Sequence, residues 1–323
     1  MKVSIRDAVR RHPEGITISL VILISLAFAV ITQGGWISIG NLQSISQVTA
    51  VLAVIAFGEA LVIATGEIDI SVGSVSGIGA LAFLGLAPVV GSGPALLAAL
   101  VCGILIGVLN GVFVAMLGLP SLLVTLGTLF LFQGIGYAVT SGFSFAATDS
   151  VRQQWVYNAV GSGDFAGVNA GVIWTLVILV VLQLLVFETP IGNRILAGGG
   201  DAASSFSRGV NVVKIKFGVF VVSGMLAAFA GVLDAAFIGY ADGSFGATME
   251  LSAIAAAVLG GCHLTGGRIS LIGTLFGAFM LRGIQSFLIL LAVQPQWYIL
   301  VVGLIVVLAS VADRTLTRFA LKK

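Results

Sequence analysis

Charged residues are scarce in this chain. Lys, Arg, Asp and Glu together make up 9% of its 323 residues, and hydrophobic residues make up 59%. Ordinary soluble domains carry roughly 25% charged residues, so this composition excludes a soluble globular fold. Proline is also rare, with six residues against 43 glycines, which is typical of tightly packed transmembrane helices. The sequence therefore predicts an all-α polytopic membrane protein.

Histidine and cysteine are rare, with two residues each, and a nucleotide-binding loop is missing from the sequence. Cys102 and Cys262 form no disulfide framework, and His263, adjacent to Cys262, does not give a zinc-ligand spacing. No G-x-x-x-x-G-K-[ST] loop occurs, since no glycine is followed by a lysine. We therefore predict no catalytic residues, no metal, no cofactor and no nucleic-acid partner. A pore or carrier, driven by a gradient or by other subunits, remains.

Apolar segments recur along the whole chain. A transmembrane helix needs about 20 apolar residues. The first segment lacks a small-x-small cleavage site, so we expect it to be retained as a span. The third and eighth segments are short. The ten predicted spans are 16–33, 45–65, 71–87, 94–117, 121–141, 170–188, 214–240, 250–263, 269–292 and 296–312.

Positive charges fall mainly on one side of these spans. Thirteen of the fifteen Lys and Arg residues lie in the N-terminal tail, the 189–216 connection, the 264–268 turn and the C-terminal tail. The positive-inside rule then places both termini in the cytoplasm and the 142–169 connection outside. Of the two remaining basic residues, Arg152 lies in that outside connection and Arg282 lies within a span.

Two halves of the chain share a glycine pattern. Glycines at 103, 107 and 111 in the fourth span are echoed at 273 and 277 in the ninth. Each pattern follows a short span that an acid and a serine introduce, at 69–71 and at 250–252. Because the copies are five spans apart, they predict inverted half-repeats, about 45–141 and 214–312, within a single domain, 1–323. Small-residue patterns also recur by chance in glycine-rich membrane proteins.

Four ordered stretches carry a family resemblance. They are GEIDISVGSVSGIGA (66–80), GLPSLLVTLGTLFLFQGI (118–135), GVNVVKIKFGVFVVSGMLAAFAGVL (209–233) and ELSAIAAAVLGGCHLTGGRISLIGTLFGA (250–278). They resemble the permease subunits of bacterial monosaccharide ABC importers of the ribose, xylose and arabinose type. The resemblance implies a ten-span importer fold in the cytoplasmic (inner) membrane and a dimer of identical or paralogous permeases. It also implies separate cytoplasmic ATPase subunits that hydrolyse ATP, and a periplasmic sugar-binding protein.

The resemblance assigns the connection at 189–213 to coupling with the ATPase. The family has a motif there that ends in G-I-N-V, and residues 209–212, G-V-N-V, match that end. The chain departs from the motif where Ala203 replaces its acid. The predicted coupling residues are Asp201, Ser204, Ser205, Arg208, Gly209 and Asn211.

A second set of residues belongs to the signature sequences of the two halves. Asp69 is placed to cap the third span near the cytoplasmic boundary, where a carboxylate is favoured by the helix dipole. Glu67, which replaces a glycine of the family signature, is predicted to be solvated. The residues predicted to have a structural or gating role are Asp69, Ser71, Gly73 and Glu250.

Substrate recognition is predicted to use neutral polar groups, because a sugar is an uncharged polyol. Such residues also bond membrane helices to one another, so each has a packing alternative. The candidates for the translocation pathway are Asn110, Thr125, Thr128, Gln133 and Gln285.

Two other functions stay open at this point. An ion-coupled secondary carrier would use Glu59, Asp234 or Arg282 as coupling residues. A branched-chain amino-acid ABC permease would need paired charges or helix ends to hold a zwitterion. For any of these functions, Glu59 and Arg282 are the charges placed deepest in the bilayer. We therefore expect them to face the protein interior and to pair across the half-repeats.

Overall fold

Helices account for nearly all of the architecture. The structure, a computed structural model, describes residues 13–200, 209–294, 296–305 and 307. Each of the ten predicted spans contains a helix within its described residues, so the predicted all-α polytopic fold is confirmed. The helices are α1 (Pro13–Ile31), α2 (Ile39–Ala64), α3 (Val72–Val90), α4 (Ser92–Gly111), α5 (Ser121–Thr140), α6 (Ala170–Phe187), α7 (Pro190–Gly200), α8 (Val212–Ile238), α9 (Met249–Leu259), α10 (Leu271–Leu290) and α11 (Gln296–Ile305).

Seven helices in the described part of the chain are long and apolar enough to cross a bilayer. They are α2, α3, α4 with its π-helical continuation to Met116, α5, α6, α8 and α10. The apolar part of α1 and the whole of α9 and α11 are shorter. The short eighth segment is confirmed as α9, with 11 residues. The third was expected to be short, but α3 has 19 residues, because it continues past Pro88 until Gly91 turns the chain away at a φ of 85°.

Helix α8 lies at the centre and packs against α2, α3 and α4. The glycines of the fourth span make this close approach possible, because a Cβ on Gly107 would lie 2.8 Å from the Cα of Val221 on α8. The glycines of the ninth span have a different partner. A Cβ on Gly277 would overlap the carbonyl oxygen of Ala256 on α9. Both patterns therefore bring backbones into contact, as small residues do between membrane helices.

The two ends of the bundle are closed differently. At one end, here called the α7 end, the end of α2, the start of α8 and the turn after α9 meet α7. The other, the strand end, carries two short antiparallel pairs. Strand β1 (Phe145–Ala146) pairs with β4 (Tyr240–Ala241), and β2 (Asp164–Phe165) pairs with β3 (Val168–Asn169).

Candidate functional site

The connection between α2 and α3, residues 65–71, folds back into the bundle. The backbone N–H of Asp69 donates to Oε1 of Glu59 at 3.2 Å. Glu59 lies five residues before the end of α2, which is roughly 7.5 Å along the helix. The side chains of Asp69 and Glu59 are 1% and 0% exposed. Helix α3 therefore starts inside the protein rather than at its surface.

Four consecutive backbone N–H groups in this connection donate to side-chain oxygens. A buried N–H without an acceptor is costly, and this segment has no regular ladder to supply one. Side chains of α2 and α5 supply three of the acceptors. The four bonds run from Ile68 N–H to Ser121 Oγ at 3.4 Å, from Asp69 N–H to Glu59 Oε1 at 3.2 Å, from Ile70 N–H to Thr125 Oγ1 at 3.2 Å and from Ser71 N–H to Asp69 Oδ1 at 2.9 Å.

The carboxyl of Asp69 is held by its neighbours. Its Oδ1 accepts the Ser71 N–H and, at 2.6 Å, the Ser71 hydroxyl, which in turn accepts from Nδ2 of Asn110 at 2.9 Å. Burial raises the pKa of the Asp69 carboxyl, while the hydrogen bonds from Ser71 and Asn110 lower it. Ser71, not Asp69, is the residue at the N-cap of α3. The expectation that Asp69 lies at a solvent boundary is wrong, because the connection folds inward.

Glu67 was expected to be solvated, and this prediction is also wrong. Its carboxylate forms an ion pair with the ammonium group of Lys216 in the first turns of α8, and the two side chains are 17% and 22% exposed. The pair ties the α2–α3 connection to α8.

The starts of α3 and α9 lie against each other. A Cβ on Gly73 would overlap the carboxylate of Glu250 and would lie 2.7 Å from the carbonyl oxygen of Gly246. A Cβ on Gly77 would likewise overlap the carbonyl oxygen of Phe245. The positive ends of two helix dipoles thus converge here, where a carboxylate is favourable. The structure brings together Gly73 and Glu250, which the sequence placed in separate half-repeats.

A cavity of about 210 Å³ opens beside this contact, between α3, α5 and residues 243–250. Its lining combines neutral polar side chains, one carboxylate and two aromatic rings, and no basic side chain among the described residues. These side chains are Ser74, Gln133, Thr248, Glu250, Phe132 and Phe245, and three aliphatic side chains, Ile78, Leu81 and Leu129, also line the cavity. Such a lining can exchange hydrogen bonds with hydroxyl groups and stack against an apolar face.

A larger cleft, of about 530 Å³, lies at the strand end between the start of α2 and the β2–β3 hairpin. It is lined by Gln43, Gln47 and Asp164, among others. No signature residue of either half lines this cleft, and the cavity between α3, α5 and α9 is therefore the stronger candidate.

The predicted pathway residues fall into different environments. Gln133 lines the cavity. The other four make hydrogen bonds that hold secondary structure or connections in place. Asn110 and Thr125 support the α2–α3 connection, Thr128 donates to the carbonyl oxygen of Thr125 at 3.2 Å, and Gln285 accepts from Arg282 at 2.9 Å.

Glu59 and Arg282 do not pair, so that prediction is wrong. Glu59 accepts the Asp69 N–H, whereas the Arg282 guanidinium donates to Gln285 and lies 6.0 Å from the centre of the Tyr298 ring. Arg282 and Asp234 of α8 attract each other electrostatically, but they form no ion pair within 4 Å. Both groups therefore contact residues other than each other, and Oε2 of Glu59 and Nε of Arg282 have no hydrogen-bond partner among the described residues.

Only two of the predicted coupling residues lie in the described part of the chain. Asp201, Ser204, Ser205 and Arg208 lie outside the described residues. Gly209 has a left-handed φ of 80°, and Asn211 caps α8 by accepting the Lys214 N–H at 3.0 Å.

Sequence reasoning missed a second turn of the Asp69 type. The Asp242 carboxylate accepts from the Ser244 N–H at 2.8 Å and from its hydroxyl at 2.7 Å, in the α8–α9 connection, residues 239–248. The sequence pattern Asp-x-Ser, which occurs at 69–71 and again at 242–244, could have predicted this second turn. Glu250-Leu251-Ser252 had been matched to the first copy instead.

A family model described as the permease component of branched-chain amino acid transport systems matches residues 41–310. This chain belongs to that family. The predicted resemblance to importer permeases is thereby confirmed, and the permease is a multi-pass membrane protein and a transport subunit, like its relatives. No solved structure matches it.

Individual relatives align with the permease over almost its whole length. The ribose import permease protein RbsC of Haemophilus influenzae is 34% identical over 316 residues, covering 93% of this chain and 92% of the relative. RbsC of Escherichia coli is 34% identical over 296 residues, covering 91% and 92%. The autoinducer 2 import system permease protein LsrC of Salmonella typhimurium is 33% identical over 309 residues, covering 95% and 87%.

Proposed function

We propose that this permease is the membrane subunit of an ATP-driven importer and moves a monosaccharide or a similar polyol through the cavity between α3, α5 and α9. The observation that carries the proposal is the contact between Gly73 and Glu250 beside that cavity, whose polar side chains other than Glu250 are uncharged. Substrate sites in transporters with repeated halves form where helix ends meet inside the membrane. The relatives named for import of ribose and autoinducer 2 support a small hydroxylated solute.

The cavity lining favours a polyol over an amino acid. Gln133 offers an amide, and Ser74 and Thr248 offer hydroxyls, so each can donate to or accept from a sugar hydroxyl. Glu250 accepts only, when it is ionised. A zwitterion would need a second, positive group for its carboxylate, and the helix ends already face Glu250. The branched-chain amino-acid alternative, which the family description names, is therefore the second candidate.

The partners follow from the same proposal. Cytoplasmic ATPase subunits, which hydrolyse the ATP, dock at the α7 end, and a periplasmic binding protein delivers the sugar at the strand end. Two permease copies, identical or paralogous, form the membrane unit. This orientation places both termini in the cytoplasm, in line with the distribution of basic residues. The half-repeats 45–141 and 214–312 meet at the cavity, and the 189–213 connection, which contains α7, couples the permease to the ATPase.

A matched pair of variants tests the site. Gln133→Leu removes a polar group from the proposed cavity, and Gln43→Leu does the same in the strand-end cleft. The complex with its ATPase and binding protein is reconstituted in liposomes, and uptake of labelled sugars is measured. We expect Gln133→Leu to lower uptake about tenfold, the equivalent of one hydrogen bond, and Gln43→Leu to stay within about twofold of wild type.

If Gln43→Leu lowers uptake and Gln133→Leu does not, the substrate site lies in the strand-end cleft. If both variants take up sugar at the wild-type rate, neither place is the site. The same liposomes separate the alternative functions. Uptake of branched-chain amino acids without sugar uptake would overturn the substrate class. Gradient-driven uptake by the permease alone would favour a secondary carrier.

A further inference from the structure

Three backbone segments meet at glycines at the α7 end. The segments are the end of α2, the end of α7 and the turn at 263–268 that follows α9. We call their contact the glycine joint. It consists of Ala64, Gly66, Gly199, Gly200, Gly266 and Gly267.

Three positions of the joint, Gly199, Gly266 and Gly267, leave no room for a side chain. A Cβ on Gly199 would overlap the carbonyl oxygen of Ala64, and it would lie 2.9 Å from the backbone nitrogen of Gly267. A Cβ on Gly266 would lie 2.7 Å from the carbonyl oxygen of Gly199. The Gly267 N–H also donates to the Ala64 carbonyl oxygen at 2.9 Å. The three segments therefore touch backbone to backbone, with a hydrogen bond across the contact.

The turn in this joint is closed by its own bonds. The Gly266 N–H donates to the carbonyl oxygen of His263 at 2.9 Å, and the His263 N–H donates to the carbonyl oxygen of Arg268 at 3.4 Å. The side chains of His263 and Arg268 meet at 3.2 Å. The turn can thus move as a unit with the end of α9.

The joint connects α7 with the two helices, α3 and α9, whose starts lie at the cavity. Through Ala64 and Gly66 it continues into the α2–α3 connection and the start of α3. Through the turn it continues into α9, whose start carries Glu250. Backbone contacts have no rotamers that could absorb a displacement, whereas contacts between long side chains do.

We propose that the glycine joint makes α7, the end of α2 and the 263–268 turn move as one body, so that a displacement of α7 moves α3 and α9 together relative to α5 at the cavity. The inference rests on the proposed function, in which α7 belongs to the element that meets the ATPase. Gly199 acts here as a positioning residue, since it does not line the cavity. Such a joint would transmit one displacement of α7 to α3 and α9 at the same time.

Neighbouring glycines of α7 provide a matched test. Alanine at either position raises helix propensity equally. A Cβ on Gly198 would make an ordinary contact at 3.6 Å with Val212, whereas a Cβ on Gly199 would overlap Ala64. In the reconstituted complex we expect Gly199→Ala to keep the ATPase bound and hydrolysing, while sugar uptake per ATP falls at least about tenfold. Gly198→Ala should stay within about twofold of wild type.

Equal sugar uptake per ATP in Gly199→Ala and Gly198→Ala would overturn the proposal. If wild type itself takes up no sugar, the proposed function fails and not the joint. Hydrogen exchange of the wild-type complex gives a second readout that does not depend on the folding of Gly199→Ala. The Gly267 amide should exchange equally slowly in the nucleotide-free and ATP-trapped complexes. Faster exchange in either state would show that the joint opens during the cycle and would overturn it.

Discussion

The two Asp-x-Ser turns have the same local geometry in opposite surroundings. In both, the aspartate Oδ1 accepts from the serine N–H and hydroxyl, at 2.9 and 2.6 Å for Asp69 and at 2.8 and 2.7 Å for Asp242. Asp69 is buried, but Asp242 is half-buried and its partner Ser244 is exposed. The turn itself is therefore local, and its depth is set by what surrounds it.

The two connections differ in the groups that accept hydrogen bonds from their backbone N–H groups. In the α2–α3 connection the N–H groups at 65–67 donate to backbone carbonyl oxygens of α2, but those at 68–70 donate to side chains of α2 and α5. The α8–α9 connection uses backbone partners instead, through β1–β4 pairing and bonds such as the Phe245 N–H to the Asp242 carbonyl oxygen at 3.1 Å. A buried connection thus depends on polar side chains at particular places, whereas a half-exposed one depends on close backbone approach.

The largest expected effect breaks that close approach. In Gly246→Ala the new Cβ would overlap the carbonyl oxygen of Gly73, at a residue whose φ is 81°. We expect a loss of about 3–5 kcal/mol in the free energy of unfolding, from strain plus overlap. Gly142→Ala is the control, because its φ is 82° and no atom lies within 4 Å of its Cβ. Thermal unfolding of the purified permease should show a cost of only about 1–2 kcal/mol for the control, and equal losses would contradict the prediction.

The next effect compares the turns directly. Asp69→Ala leaves a buried N–H and hydroxyl of Ser71 without their acceptor, so we expect a loss of about 1–3 kcal/mol. Asp242→Ala exposes the same groups to water, and we expect less than about 1 kcal/mol. Denaturation in detergent, with both variants measured side by side, checks the ranking. A larger loss for Asp242→Ala would mean that burial does not decide the value of the turn.

Much of the fold could be predicted from the sequence, and the depth of its connections could not. Hydrophobic length predicted the ten helical segments, and the signature motifs predicted the family. The acids at 67 and 69 were placed at a boundary because the pattern of apolar residues shows where helices end, but not that a connection turns back inside. Gln133 could be named as a candidate from its polarity. Its position in the same cavity as Glu250 depends on tertiary packing between distant segments.

A smaller effect should appear in the pH dependence of stability. Burial raises the pKa of Asp69 in the folded state, so the folded protein holds this proton more tightly than the unfolded chain does. The stabilising contribution is present at low pH and is lost as pH rises through the folded pKa. Asp69→Asn cannot ionise, while its Oδ1 still accepts from Ser71. We therefore expect the stability of the variant relative to wild type to increase with pH, by at most about 1.4 kcal/mol per pH unit.

Unfolding curves of wild type and Asp69→Asn at several pH values between acid and neutral measure this difference. Glu59 faces the same connection and interacts electrostatically with Asp69, so the comparison is repeated in a Glu59→Gln background, which removes that neighbouring carboxyl. Parallel pH profiles would show that Asp69 has the same proton affinity folded and unfolded.

The smallest effect concerns the ion pair of Glu67 and Lys216. Because both side chains are partly exposed, we expect a coupling energy of at most about 1 kcal/mol in a double-mutant cycle with Glu67→Gln and Lys216→Gln. Raising the salt concentration to about 1 M should reduce that coupling. A coupling that is large and insensitive to salt would place the pair among the buried contacts of the α2–α3 connection.

The hydrogen bonds of the α2–α3 connection also constrain how the chain is made. Two of its amides, at 68 and 70, find their acceptors 53 and 55 residues later, in α5. A ribosome delivers α2 and α3 to the membrane well before α5 emerges. Until then the connection would leave polar backbone unsatisfied in hydrocarbon, at a cost of several kcal/mol per group. The inward fold therefore has to await insertion of the fifth span, and α2 to α5 settle together as one unit of biogenesis.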